Sequence, residues 1–342
     1  MVNKSEIKLK HVHACLMPES QYKKSAGFEH IELIHESAAG LSLDKICLQT
    51  EFLNKGLNAP LMIAPMTGGM EFGALLNQRW AKAAQHFGIA FGVGSQRLAL
   101  ENHEARSSFM VRAQAPDALI FANLGAAQLV ESLDAKDALK AIEMIEADAL
   151  FIHLNPLQEA CQLHGDRNFT GILRAITGVV EYLDKYNIPV FVREVGFGLS
   201  QNAARALINC GVAGLDCAGA GGTSWAKVES LCASNEKYKR LGAVFGEWGI
   251  PTAQSIINVR EIDKKIPLVA SGGIRSGLDV AKAIKLGANI AAMAQPMLAA
   301  AIKGEEELFL FVEQIIEELK TGLFAAGASS LEDFLGKAFI RN

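Results

Sequence analysis

From Pro60 onward the chain repeats a single pattern: a short unbroken apolar run, a turn rich in glycine and polar side chains, then apolar residues at helical spacing. The runs are Leu61–Ala64, Ile89–Val93, Ala118–Phe121, Ala149–Ile152, Val190–Val192, Val212–Leu215, Leu268–Ala270 and Asn289–Ala294. A strand with one wet face would alternate. Unbroken runs predict strands buried on both faces, as in a parallel sheet covered by helices. Eight repeats favour closure into an α/β fold of the (β/α)8 TIM-barrel type over an open doubly wound sheet. The gap between the sixth and seventh runs is longer. It holds the polar stretch Trp225 to Trp248, with Ser234-Asn-Glu-Lys-Tyr-Lys, and predicts a loop insertion on the active face. Glu305 to Leu323 predicts a closing helix. Residues 1–59 lack the rhythm and predict an N-terminal extension, a small sheet or clasp, packed on a barrel of residues 60–342.

The polar chemistry falls where the runs end. Met66-Thr-Gly-Gly69, Gly94-Ser-Gln-Arg97, Asn123-Leu-Gly125, His153-Leu-Asn-Pro-Leu-Gln-Glu159, Arg193-Glu194 and Asp216 to Thr223 each follow an apolar run. In a barrel those ends share one rim, the active face. Turn chemistry accounts for polar residues at one strand end, and poorly for the same enrichment at nearly all of them.

Leu268 to Gly277 combines a short strand, Ser271-Gly272-Gly273 and an amphipathic helix ending at Gly287. A strand feeding a glycine turn and a helix bares backbone N–H groups, which suits phosphate. An ordinary βα turn is the other reading of the same stretch. The next run ends at Gln295-Pro296, so two neighbouring strand ends flank a phosphate-sized opening, as strands seven and eight of such barrels do.

Bulk properties narrow the partners. The chain has 342 residues, 50% apolar, and a formal net charge of −4. That suffices for a large core and gives no support for a nucleic-acid surface. Six cysteines without a CxxC pair predict reduced, mostly buried thiols of a cytoplasmic protein. The charged N-terminal run lacks a secretory apolar segment. The most apolar stretch, Ala288 to Ile302, is broken by Gln295-Pro296 and is too short to cross a membrane.

Among the rim residues, His153, Asn155, Gln158 and Glu159 do not form a zinc set. One carboxylate with amides suits Mg2+, which keeps waters and takes other ligands from phosphate. Equally, Gln158 and Glu159 open a helix after Pro156, where an acid favours the dipole. Ser95 and Arg97 suit a phosphate or diphosphate, and a surface salt bridge is the competing role for Arg97. Arg193 needs an anionic or electron-rich partner, or an internal ion pair with Glu194 or Asp216. Cys217 is better read as a small core residue than as a nucleophile. All eight histidines lie at or before His164, which argues against a flavin barrel using an imidazole base near strand seven.

The motifs together resemble one family, the FMN-dependent type 2 isopentenyl-diphosphate isomerases, which are (β/α)8 barrels. The carrying pieces are Met66 to Gly69, Gly92 to Arg97, Ala122 to Gly125, His153 to Glu159, Glu194 to Gly198, Ala218 to Trp225, Glu247 to Thr252 and Ser271 to Arg275. His-x-Asn-x-x-Gln-Glu and Gly-x-Gly-Gly-Thr-Ser-Trp are the specific ones. The resemblance implies interconversion of isopentenyl and dimethylallyl diphosphate with reduced FMN and Mg2+, and NADPH serving only as flavin reductant. It implies FMN contacts at Met66, Thr67, Ser95, Asn123, Arg193, Thr223, Gly272, Gly273, Arg275, Ala294 and Gln295. Lys8, His11, Arg97, Asn155 and Gln158 would bind the prenyl diphosphate, His153 and Gln158 would be catalytic, and Glu159 would hold the metal. A homo-oligomer, tetramer or octamer, is implied as well. The chain departs from the family at Ile7, usually arginine, and at Arg193, usually lysine; Lys10 is a possible substitute for the missing arginine. Two rivals follow: an FMN oxidoreductase, and a relative that binds flavin or a prenyl diphosphate without turnover.

Overall fold

Eight parallel strands close into a barrel in this computed structural model, which describes residues 4–342. Three short strands precede it: β1 (Ile31–Leu33), β2 (Thr50–Phe52) and β3 (Lys55–Leu57). The barrel strands are β4 (Leu61–Ile63), β5 (Ala90–Gly92), β6 (Ile120–Gly125), β7 (Ala149–Leu154), β8 (Val190–Glu194), β9 (Gly214–Asp216), β10 (Leu268–Ser271) and β11 (Ile290–Met293). β11 returns to pair with β4, Ala292 opposite Met62, and closes the ring. The last strand, β12 (Phe339–Arg341), pairs antiparallel with β1.

The eight apolar runs are the eight barrel strands. All are buried along their length except β7, which becomes half-buried at His153 and Leu154, where it meets the site. The third run extends past its expected end at Phe121 to Gly125. Polar Asn123 sits in that buried strand because its Nδ2 donates to Val93 O at 3.1 Å. Inside the barrel, Phe121 stacks on Phe151 at 4.3 Å and Phe191 meets both edge-on. The β2–β3 hairpin plugs the far end with Phe52, 5.7 Å from Phe191. Leu53 and Asn54 both take positive φ at its tip, which matches the right-handed twist of the flanking strands. A Cβ on Gly214 would lie 2.1 Å from the Phe191 ring, so the aromatic core depends on that glycine.

The helices are α1 (Lys4–Leu16), α2 (Glu71–Phe87), α3 (Arg97–Glu101), α4 (Ala126–Glu131), α5 (Ala135–Ile145), α6 (Pro156–Cys161), α7 (Ile172–Asp184) and α8 (Gln201–Ile208). They continue with α9 (Trp225–Cys232), α10 (Glu236–Val244), α11 (Thr252–Ile262), α12 (Gly277–Lys285), α13 (Gln295–Lys303), α14 (Glu305–Ala325) and α15 (Leu331–Gly336). The expected closing helix is α14, whose Leu308, Val312, Ile315, Leu319 and Leu323 form one buried stripe. The insertion between the sixth and seventh barrel strands is present, and its backbone is helical. Ser224 and Asn235 cap α9 and α10 through their side chains, so the polar residues that suggested a loop are helix-start signals.

The N-terminal extension contains the expected short strands and, in addition, α1. That helix has no clean apolar stripe because Lys8 and His11 on its inner side face a cavity at the barrel rim.

Candidate active site

The C-terminal ends of the barrel strands surround a cavity of about 320 Å³. Met66 and Thr67 enter it after β4, Ser95 and Arg97 after β5, His153 and Asn155 at the end of β7. Gln158 and Glu159 reach it from α6, Arg193 from β8, Thr223 after β9, Ala294 and Gln295 after β11, and Lys8 and His11 from α1. Ile7 also lines it, whereas Lys10 is exposed and does not. Four of the expected residues lie outside this lining: Asn123, Gly272, Gly273 and Arg275.

Asn123 is one layer down and orients His153. Its Nδ2 is committed to Val93 O, so its Oδ1 faces His153 Nδ1 at 2.8 Å. An amide oxygen only accepts, so Nδ1 carries the imidazole proton and Nε2 keeps its lone pair. Burial, with Arg193 adjacent in the strand register, pushes the His153 pKa down to about 3. The ring is neutral at physiological pH. Its folded value lies below the ordinary 6.5, so between those values the unfolded chain takes up a proton that the folded protein refuses. Stability is expected to fall as pH drops through that window, by at most about 1.4 kcal/mol per pH unit from this group. Glu194 acts in the opposite sense: burial lifts its carboxyl to about 7, against three backbone N–H donors from Val195, Gly196 and Phe197. The difference between wild type and His153→Asn isolates the histidine. Urea melts at pH 4.5 and 7 are expected to show a smaller acid loss in the variant, and equal losses would contradict the assignment.

Asn155, Gln158 and Glu159 form one hydrogen-bonded cluster. Asn155 Nδ2 donates to Glu159 Oε1 at 2.8 Å and to Gln158 Oε1 at 3.3 Å. Glu159 Oε2 accepts from Asp166 N at 2.8 Å, and burial raises its pKa. Among the described residues Asn155 Oδ1 is buried and has no hydrogen-bond partner, although buried polar atoms are rarely left unpaired. An acceptor beside a carboxylate, opening on a cavity, fits a hard cation. Among the described residues, no group of three or more His, Cys, Asp or Glu is placed to hold a metal. A cation here would therefore draw on Glu159, waters and ligand oxygens, as Mg2+ does.

Glu229 is a residue of this cluster that sequence reasoning missed. It is buried on α9, and its Oε1 accepts from Gln158 Nε2 at 2.9 Å and Gln162 Nε2 at 2.6 Å. His11 Nε2 lies 3.3 Å from the same oxygen but makes no aligned hydrogen bond. Glu229 stands one helical turn after Trp225, which lines the cavity and meets the His11 ring edge-on at 5.5 Å. That spacing inside the insertion was the available signal, and it carried weight only once the segment was known to be helical.

The cations are held by acids and carbonyls. Arg97 pairs with Asp166 at 2.6 Å and Glu101 at 2.9 Å, so its salt-bridge role is realised at the cavity edge. Lys8 Nζ donates to Gly68 O at 2.6 Å. Arg193 Nε pairs with Asp216 Oδ2 at 3.1 Å, Nη1 donates to Pro65 O at 3.3 Å, and the guanidinium stands 5.6 Å above the Phe151 ring. Asp216 is fully buried, and Oδ1 accepts from Ser271 Oγ at 2.6 Å and Ala218 N at 3.1 Å. Arg193 thus has the internal partner anticipated for it and still faces the cavity. Cys217 is buried with its thiol pushed up to about 12 by burial, as befits a core residue.

The glycine turn after β10 forms a cradle. Gly272 and Gly273 have φ of +97° and +70°, and a Cβ on Gly272 would lie 2.0 Å from Gly219 O. Among the described residues, the backbone N–H groups of Gly222, Gly272 and Gly273 have no hydrogen-bond acceptor. The start of α12, which follows this turn, is already satisfied: Ser276 and Asp279 form a capping box, and Gly277 N donates to Glu318 at 2.7 Å. The start of α13 has Pro296 in its first turn and no side-chain cap. Among the described residues the free donors therefore lie at the glycine turn, where the sequence placed them, and not at the capped start of α12.

A family model described as FMN-dependent dehydrogenase matches residues 179–341. A protein of Nostoc sp. named isopentenyl-diphosphate delta-isomerase is 46% identical over 95% of this chain and 92% of its own length. Proteins with the same name from Rickettsia rickettsii (44% identity; 98% and 97% covered) and Methanothermobacter thermautotrophicus (42%; 96% and 91%) are also similar. Among solved structures, a lactate oxidase of Pediococcus acidilactici superposes with a TM-score of 0.66 at 16% identity, covering 100% of this chain and 95% of that one. A mandelate oxidase bound to (S)-2-phenylpropionate gives 0.64 at 17%, covering 100% and 99%. At these identities the two oxidases share the fold alone.

Proposed function

Because the chain belongs to the isopentenyl-diphosphate delta-isomerase family, we propose that it interconverts isopentenyl and dimethylallyl diphosphate using reduced FMN and Mg2+, with no net redox change. One observation carries the reading: Asn155 Oδ1, buried and without a partner among the described residues, lies beside Glu159 in a cavity shared with Arg193, Thr223 and Gln295. The first pair suits a cation-bound diphosphate, and Thr223 follows Gly222 of the glycine cradle, which suits a flavin phosphate.

Reduced FMN, when bound, supplies the acid–base group that adds and removes a proton at the alkene. The chain's own residues hold and surround the reactants. Gly272, Gly273, Arg275, Ala294 and Gln295 would take the flavin phosphate, and Met66, Thr67, Ser95 and Asn123 would border the ring. Arg193 would keep positive charge against the flavin. Glu159 would hold Mg2+ on the diphosphate, with Lys8, His11, Arg97 and Asn155 as its other contacts. Gln158, fixed by Glu229, would present a neutral amide to the reacting carbons. His153 would serve as a neutral partner whose Nε2 accepts. NADPH as flavin reductant, a cytoplasmic location and a homo-oligomer belong to the same proposal. Among the described residues, no helix is long and apolar enough to cross a membrane.

The oxidase-like fold raises oxidation of a 2-hydroxy acid as the rival. Such a reaction needs a base able to take a proton, and an imidazole held at about 3 is too weak for that. The histidines near the later strands that would replace it are absent from the sequence. The test is anaerobic incubation of the protein with reduced FMN, Mg2+ and isopentenyl diphosphate, read by proton NMR. Dimethylallyl diphosphate is expected. Flavin-loaded protein giving no product would overturn the proposed activity and leave binding, or another prenyl diphosphate, as the function.

A further inference from the structure

The segment between α1 and β1 crosses the glycine cradle, and one side chain there makes more cross-links than a connecting loop requires. Gln21 Oε1 accepts from Arg275 Nη2 at 2.8 Å, and its Nε2 donates to Cys15 O at 3.1 Å and to Thr223 Oγ1 at 3.3 Å. The backbone around it is stitched to the same loop: Tyr22 N donates to Gly222 O at 2.8 Å and Ser224 N to Ser20 O at 2.8 Å. Ala26 closes over the turn so tightly that a Cβ on Gly221 would lie 2.3 Å from Ala26 N. One amide therefore joins the last turn of α1, the loop after β9 and the arginine after β10.

We propose that Gln21 is a positioning residue for the flavin phosphate, orienting Arg275 and Thr223 toward it and anchoring α1, which brings Lys8 and His11 to the cavity. The inference rests on the flavin reading above and extends it to a residue outside the cavity lining. The chemistry is direct. A guanidinium with several donors can give one to Gln21 and keep the others for phosphate, and the neutral amide holds it without cancelling its charge. A carboxylate at position 21 would bind Arg275 more strongly and repel the phosphate.

The phosphate makes the test selective. FMN and riboflavin share the ring and differ at the phosphate, so their dissociation constants are measured side by side by flavin fluorescence with wild type, Gln21→Ala and Gln21→Glu. Wild type is expected to prefer FMN. Gln21→Ala is expected to lose about tenfold in FMN affinity, on the scale of one hydrogen bond to a charged group, with riboflavin affinity unchanged. Gln21→Glu should lose more. Unchanged riboflavin binding also serves as the folding control. Wild-type FMN preference retained in both variants, or equal loss of both flavins, would overturn the role of Gln21 alone. A wild type that binds neither flavin would overturn the cofactor reading and this inference together.

Discussion

Glu159→Gln is expected to lower kcat/KM for isopentenyl diphosphate by about 10²–10³, the scale for removing one electrostatic contact to a reacting oxyanion, and to abolish the response to Mg2+. The neighbouring geometry explains why a neutral isostere suffices. Glu159 accepts from Asn155 Nδ2 and Asp166 N; a glutamine keeps an oxygen for Asp166 N, and its amide nitrogen can donate to Asn155 Oδ1 once the Asn155 amide turns over. An amide at that position keeps the volume and loses the charge, so the fold should survive while the metal goes. Titrating activity against Mg2+ in both proteins is the check. A variant that keeps wild-type activity and the same Mg2+ response would show that the metal is held elsewhere.

The second large effect is on stability. Arg193→Met is expected to cost about 3–5 kcal/mol, because it leaves buried Asp216 without its cation. Burial raises the Asp216 carboxyl and Arg193 opposes that, so removing the arginine raises it further. The sign follows from linkage. The folded variant then binds a proton more tightly than the unfolded chain, so its deficit is largest above the ordinary carboxylate range and shrinks as the solution is acidified. Arg193→Lys should keep most of the stability, since a charge remains, but a lysine cannot span Asp216 and Pro65 O together as the guanidinium does. Denaturant melts of both variants at pH 5 and pH 7.5 test this. A Met deficit that is small, or the same at both values, would show that Asp216 does not depend on Arg193.

The barrel was legible because its strands are dry on both faces, which leaves an unbroken apolar run in the sequence for every strand. The rim was legible for the same reason in reverse: polar residues directly after such runs stand out. Elements whose inner side faces the site were harder. α1 turns Lys8 and His11 inward, so the apolar stripe that marks a buried helix is interrupted. α9 and α10 begin at Ser224 and Asn235, and caps in a polar stretch look like a loop unless the helix behind them is recognised. Glu229 and Gln21 were invisible for a related reason. Each meets its partner across the chain, Gln21 with Arg275 and Glu229 with Gln158; nothing local marks Gln21, and the Trp225–Glu229 spacing points to Glu229 only once α9 is recognised as a helix. The glycine turn after β10 was legible from its glycines; that Glu318 from α14 takes up the Gly277 N–H was not, because nothing near the turn encodes that partner.

The central claim is that this cavity moves a proton without consuming electrons. The most direct measurement is the number of dimethylallyl diphosphate molecules formed per NADPH oxidised, in an anaerobic reaction with FMN, Mg2+ and isopentenyl diphosphate followed by NMR and absorbance. The proposed activity predicts many product molecules for each NADPH, which would be spent only on reducing the flavin at the start. NADPH oxidised one-for-one with a reduced product, in place of dimethylallyl diphosphate, would contradict the account and make the protein an oxidoreductase.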